Sequence, residues 1–204
     1  MKLRNAVIKI KNNLIKTSNR MKLSNRNFTV ISNNCWGGFV YQKFGLKYTS
    51  PTIGLFFVGE DYVKFCKKLE YYTSLELVFI PFETSKNASL LNRNEGYPVG
   101  VLDDIEIYFM HYKSEQEAKL KWEKRCARIN FNNIIFKISQ REGYTKKDIQ
   151  DFMKLKWKNK IAFSYDIVEG AIHVPELQTW SGDEMPLLND LVNYADIING
   201  IEGE

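Results

Sequence analysis

The feature that most restricts this fold is a rhythm: short runs rich in Val, Ile and Phe alternate with helical patterns along most of the chain. "NFTVIS" (27–32), "LELVFI" (75–80), "DIEIYFMHY" (104–112), "NIIFKIS" (133–139) and "KIAFS" (160–164) read as strands. "TIGLFF" (52–57) reads as a strand or a buried apolar segment. Helices are expected over 60–72, with Val63, Cys66 and Leu69 on one face, over 115–129, N-capped by Ser114, and from Thr145 to about Leu155. A loop with one helical turn is expected over 83–98, and a helix from Leu187 to Ile198. Strands joined through helices pair in parallel by right-handed crossovers. The expected fold class is therefore α/β, a mostly parallel sheet flanked by helices, three-layer and Rossmann-like, in a single domain over 27–204.

The 204 residues are enough to bury a core without disulfides or metals. No apolar run approaches the roughly 18 residues that span a bilayer, and the N-terminus mixes Ile with Asn and Lys, unlike a signal peptide. Three widely spaced cysteines (Cys35, Cys66, Cys126) lack CxxC spacing, and there are two histidines, so no metal site is expected. This cysteine set suits a reduced, cytoplasmic interior.

Charge is unevenly spread. Met1 to Gly59 holds ten Lys and Arg and no acid, whereas 161–204 holds nine Asp and Glu and no Lys or Arg. Residues 1–26 form a basic N-terminal segment, of which 1–22 reads as an amphipathic helix with Val7, Ile8, Ile10, Leu14 and Ile15 among lysines and asparagines. Such a helix packs on its own domain, or docks peripherally on an anionic membrane or a glycosyltransferase. Nucleic acid is not an expected partner, because no binding motif accompanies the charge.

Ligands of open α/β sheets sit beyond the C-terminal strand ends. Asn33, Asn34, Cys35 and Trp36 follow the first strand, and His111, Ser114 and Glu115 follow the 104–112 strand. Ser139, Gln140 and Arg141 follow the next, and Ser164 and Tyr165 the one after. Asp103 and Asp104 start their strand, roughly 23 Å from His111 at about 3.3 Å per residue, and belong to a turn or loop. Cys35 has two readings. It is a nucleophile with His111 as its base, or a buried thiol in a turn that the following glycines permit. On the 115–129 helix, Ala118, Trp122, Cys126 and Ile129 make a core stripe. Glu117, Lys121, Arg125 and Arg128 make a second stripe, either ordinary i,i+4 pairing or a guanidinium clamp for phosphate or carboxylate.

"ISNNCWGGFVYQKFGLKYTSPTIGLFF", "YPVGVLDDIEIYFMHYKSEQEAKLKWEKRCARIN" and "NKIAFS" resemble a bacterial family of unknown function labelled exopolysaccharide biosynthesis protein, over residues 27–165. The resemblance implies a compact α/β domain that makes or modifies cell-surface polysaccharide, and it carries no established reaction. The expected function is group transfer to or from a sugar or sugar phosphate. Trp36 would stack on the sugar, His111 or Glu115 would act as base, and Cys35 would stand as a reserve nucleophile. Asn33, Asn34 and Ser114 would meet hydroxyls, and Lys121, Arg125 and Arg128 would hold an anion. The alternative is a glycan-binding or accessory subunit. No GxGxxG or Walker loop is present, so the cofactor is unknown.

Overall fold

The structure, a computed structural model, describes residues 2–91, 96–141, 143–189 and 191–200. Its elements in chain order are α1 (Lys2–Met21), β1 (Thr29–Ser32), α2 (Trp36–Phe44), α3 (Glu60–Lys67), α4 (Leu69–Ser74), β2 (Val78–Ile80), α5 (Ala88–Leu91) and β3 (Val99–Leu102). There follow β4 (Ile105–Tyr108), α6 (Glu115–Cys126), β5 (Ile134–Ser139), α7 (Lys146–Met153), β6 (Lys160–Ser164), β7 (Ile172–His173), α8 (Met185–Leu188) and α9 (Tyr194–Asn199).

The main sheet has the order β1-β5-β6-β7, and every adjacent pair is parallel. Alternate residues leave it on opposite sides, as the strand period of two requires. Ile31, Ile134, Phe136, Ile138 and Ala162 enter one core with Phe57, Phe65, Trp122 and Phe152. Val30, Ile135 and Phe163 enter a second core with Trp36, Val40, Phe44, Leu188 and Tyr194. The acidic C-terminal stretch thus supplies one covering layer of an α/β sandwich whose sheet is buried on both faces.

Several elements differ from expectation. The 104–112 segment is a strand only over β4 and pairs antiparallel with β3, which pairs antiparallel with β2 in a separate three-stranded sheet. Asp103 and Asp104 form the hairpin turn, with Asp103 at φ 53°, a left-handed conformation that Asp tolerates better than most residues. Residues 52–57 form turns with a single bridge, Phe56 to Tyr108. The 60–72 helix breaks at Lys68, whose φ and ψ of −129° and 46° leave the helical region. The C-terminal helix is two short pieces, α8 and α9, the second starting afresh where the Asn193 side chain accepts from Ala195 N–H.

Thr145 caps α7 in a reciprocal capping box with Asp148, and Ser114 caps α6 through Glu117 N–H. The end of α1 lies by α2, where Asn19 Nδ2 donates to Lys43 O at 3.3 Å. Its apolar residues remain open to solvent: Val7 is 58 % exposed, Ile10 60 % and Leu14 66 %. No helix among the described residues is long and apolar enough to cross a membrane.

Candidate active site

The β1 end is fixed to the β5 end by one side chain. Asn33 Nδ2 donates to Ser139 O at 2.9 Å, and Asn33 Oδ1 accepts from Ser139 N–H at 3.1 Å. Ser32 Oγ donates to Asn34 O at 2.7 Å and accepts from Gly37 N–H at 3.1 Å. A Cβ on Gly37 would lie 2.8 Å from Ser32 Oγ, so only glycine lets α2 start this close to β1. Cys35, the residue before α2, is therefore held at the C-terminal edge of the parallel sheet.

His111 reaches the same edge from the turn after β4. Its backbone N–H donates to Gly54 O at 3.0 Å. Gly54, at φ +76°, would place a Cβ 3.4 Å from the His111 Cβ, so this turn also depends on glycine. The result is a contact of 3.4 Å between Cys35 Sγ and His111 Nε2, side chains 76 positions apart. A cleft of about 410 Å³ opens around them, lined by Asn33, Asn34, Cys35, Trp36, Met110 and His111, by Phe39, Phe56, Tyr144 and Arg141, and by Asp183 and Glu184.

Its floor carries buried charge. Lys137, on β5, is completely buried and pairs with the Glu184 carboxylate, itself 3 % exposed. Lys137 Nζ also donates to Asn34 Oδ1 at 3.1 Å and lies 5.7 Å from the centre of the Trp36 ring. Burial lowers the Lys137 ammonium to about 8 against the opposing pull of Glu184. Arg141 donates through Nη1 to Gly182 O at 2.8 Å and through Nη2 to Trp180 O at 3.2 Å, tying down the stretch before Glu184. Burial, and then the charges of Asp183 and Glu184, raise the Cys35 thiol, with Lys137 opposing. At neutral pH Cys35 is therefore a protonated thiol, and His111 is the imidazole in contact with it.

Among the described residues, four polar atoms at this edge are buried without a hydrogen-bond partner: Trp36 Nε1, Ser139 Oγ, Arg141 Nε and Glu184 Oε2. Native interiors leave few such atoms.

Of the other expected site residues, Trp36 lines the cleft and the rest lie elsewhere. Ser114 serves as the α6 cap, and Glu115 is exposed on its first turn. Lys121 pairs with Glu117 at 2.5 Å. Arg125 donates to Ile53 O at 2.9 Å and to Tyr112 Oη, and Arg128 to Tyr48 O at 3.3 Å, so these guanidinium groups anchor backbone and ring rather than form a clamp in the cleft. Trp36 is 2 % exposed and packs edge-on against Tyr194, so it is a wall and not a stacking platform. A larger groove of about 590 Å³ between α4 and α6 presents Glu70, Glu76, Glu123 and the thiol of Cys126, which burial raises to about 12. The charge of Glu123 adds to that rise, and no histidine lines the groove.

Reading along the chain missed Lys137 and Glu184. The available signal for the first was a lysine inside the apolar strand "IIFKIS". Glu184 carried none, since its acidic surroundings read as a solvated surface.

Residues 6–195 match the family described as a domain of unknown function, DUF1919. A protein of Haemophilus influenzae, described as uncharacterized, is 37 % identical over 164 residues, covering 80 % of this chain and 74 % of the relative.

Proposed function

We propose that this chain, which belongs to the family of the domain of unknown function DUF1919, is a transferase of cell-surface polysaccharide biosynthesis that acylates a sugar through Cys35. The observation that carries this is the 3.4 Å contact of Cys35 Sγ with His111 Nε2 inside the cleft. Among group transfers, acyl transfer suits a thiol, because a thioester is both readily formed and readily cleaved. The thiol proton passes to His111 Nε2, and sulfur attacks the carbonyl of an acyl donor. The donor's leaving group departs with that proton, and a thioester remains on Cys35. A sugar hydroxyl then attacks the thioester, its proton returns through His111 to the leaving sulfur, and the free thiol is restored. The polysaccharide setting rests on the resemblance carried by the NNCWGG motif and its companions.

Intact-mass measurement after incubation with a panel of acyl thioesters tests the reading. The expected result is a single hydroxylamine-labile acyl group, absent from Cys35→Ser and His111→Ala and discharged by sugar. Turnover that survives Cys35→Ser would overturn it.

A second reading is a membrane-docked accessory subunit, favoured by the exposed Val7, Ile10 and Leu14 on a helix without acidic residues. Under that reading, removal of residues 1–22 abolishes co-sedimentation with phosphatidylglycerol vesicles and the activity of the synthesis complex together. Under the transferase reading, acylation of Cys35 survives the deletion.

A further inference from the structure

We infer that the floor of the cleft, built from Trp36, Arg141 and Glu184, is a subsite for a neutral hydroxyl-bearing ring, and that a phosphate does not sit there. This rests on the transferase reading for its place in a reaction and names the part of the acceptor that the pocket holds. Trp36 Nε1 and Arg141 Nε are donors, and Glu184 Oε2 is an acceptor; all three are buried without a hydrogen-bond partner, and their residues line the cleft. Glu184 Oε2 lies 3.9 Å from Arg141 Nη1, too far for a hydrogen bond. An unpaired buried polar group costs about 1–3 kcal/mol, so a ligand that satisfies all three is strongly favoured.

The mixture of donors and an acceptor selects the ligand. A hydroxyl group both donates and accepts, whereas a phosphate at neutral pH mainly accepts. A hydroxyl can accept from such an N–H and donate to such a carboxylate oxygen. A phosphate would meet that carboxylate oxygen with like charge. The local cations do not offset this. Lys137 is already paired with Glu184 and Asn34, and both terminal nitrogens of Arg141 are bound to carbonyl oxygens. Asp183 adds a second carboxylate at the rim. Two cations against two carboxylates leave no net positive charge for an anion, and the acyl donor's own phosphates, where it has them, must lie outside this floor.

The test is a thermal-shift titration of the full chain with methyl glycosides of glucose, galactose and mannose, against inorganic phosphate at equal concentration. Stabilisation by at least one glycoside, with none by phosphate, is expected. Trp36→Phe and Arg141→Lys each weaken glycoside binding by about 2- to 10-fold, the value of one hydrogen bond. The melting temperature of each unliganded variant shows whether its fold is intact; if Trp36→Phe unfolds, Arg141→Lys carries the test. Stabilisation by phosphate that Arg141→Lys removes, or no stabilisation by any of the three glycosides, overturns the subsite. Acylation of Cys35 without glycoside binding would leave the thiol chemistry standing and remove the subsite. Glycoside binding that persists when no acyl donor ever loads Cys35 would do the reverse.

Discussion

Two clusters of buried polar groups in this molecule differ in completeness. At the antiparallel sheet, Glu106 accepts from Ser85 Oγ at 2.7 Å, from Lys86 N–H at 3.0 Å and from Tyr108 Oη at 2.5 Å. Asp61 beside it accepts from Lys86 Nζ at 2.7 Å and from Glu106 N–H at 2.9 Å. Every carboxylate oxygen there has a partner. At the cleft, Lys137 and Glu184 are paired, yet Trp36 Nε1, Arg141 Nε and Glu184 Oε2 are left over. The first cluster ties the 82–91 segment to β4 and is finished by folding. The second is finished by a ligand. Satisfaction, more than burial or charge, separates a structural network from a site.

The two clusters respond differently to substitution. His111→Ala should reduce turnover by about 10²–10⁴-fold while shifting the melting temperature little, because His111 is exposed. A large loss of stability would make His111 a structural residue. Glu106→Ala should do the opposite. It leaves Ser85, Tyr108 and Lys86 N–H without their acceptor and costs about 3 kcal/mol or more, read by denaturant unfolding, with Cys35 chemistry intact at low temperature. Tyr108→Phe removes one of those bonds and should cost about 1–2 kcal/mol.

The smallest effect is a pH slope. The folded value of Lys137, about 8, lies below its ordinary 10.5, so between those values the unfolded chain binds more protons than the folded one. This contribution is lost as pH falls through about 8 and grows as pH rises, by less than about 1.4 kcal/mol per pH unit. The three thiols of the unfolded chain ionise in the same range and tilt the curve the other way. Unfolding between pH 8 and 9 should therefore show a more positive pH slope in the native chain than in Lys137→Met, which carries the same thiols.

The two regions were also unequally legible. The parallel sheet declared itself through "NFTVIS", "NIIFKIS" and "KIAFS", and the caps Ser114 and Thr145 through local side-chain chemistry. The antiparallel sheet declared two of its strands, "LELVFI" and "DIEIYFMHY", but neither β3 nor the antiparallel pairing. All four β4 residues are buried, so its alternation did not mark one wet face, and β3 contains a glycine that weakens any strand signal. In the site, "NNCWGG" and His111 were visible as candidates because both follow apolar runs. Which of them touch was decided by the turn at Gly54. The pairing of Lys137 with Glu184, 47 positions apart, depends on the C-terminal layer folding over the sheet, and no local pattern encodes that.

The most direct test of the Cys35–His111 pair needs no substrate. It is the rate of Cys35 alkylation by iodoacetamide from pH 6 to 10, followed by mass spectrometry in the native chain and in His111→Ala. If His111 serves as the base for this thiol, the native chain reacts about tenfold faster or more near pH 7, and the two profiles converge in alkali, where the thiol ionises unaided. Superimposable profiles at every pH would contradict the account and leave Cys35 as an inert residue at the start of a helix.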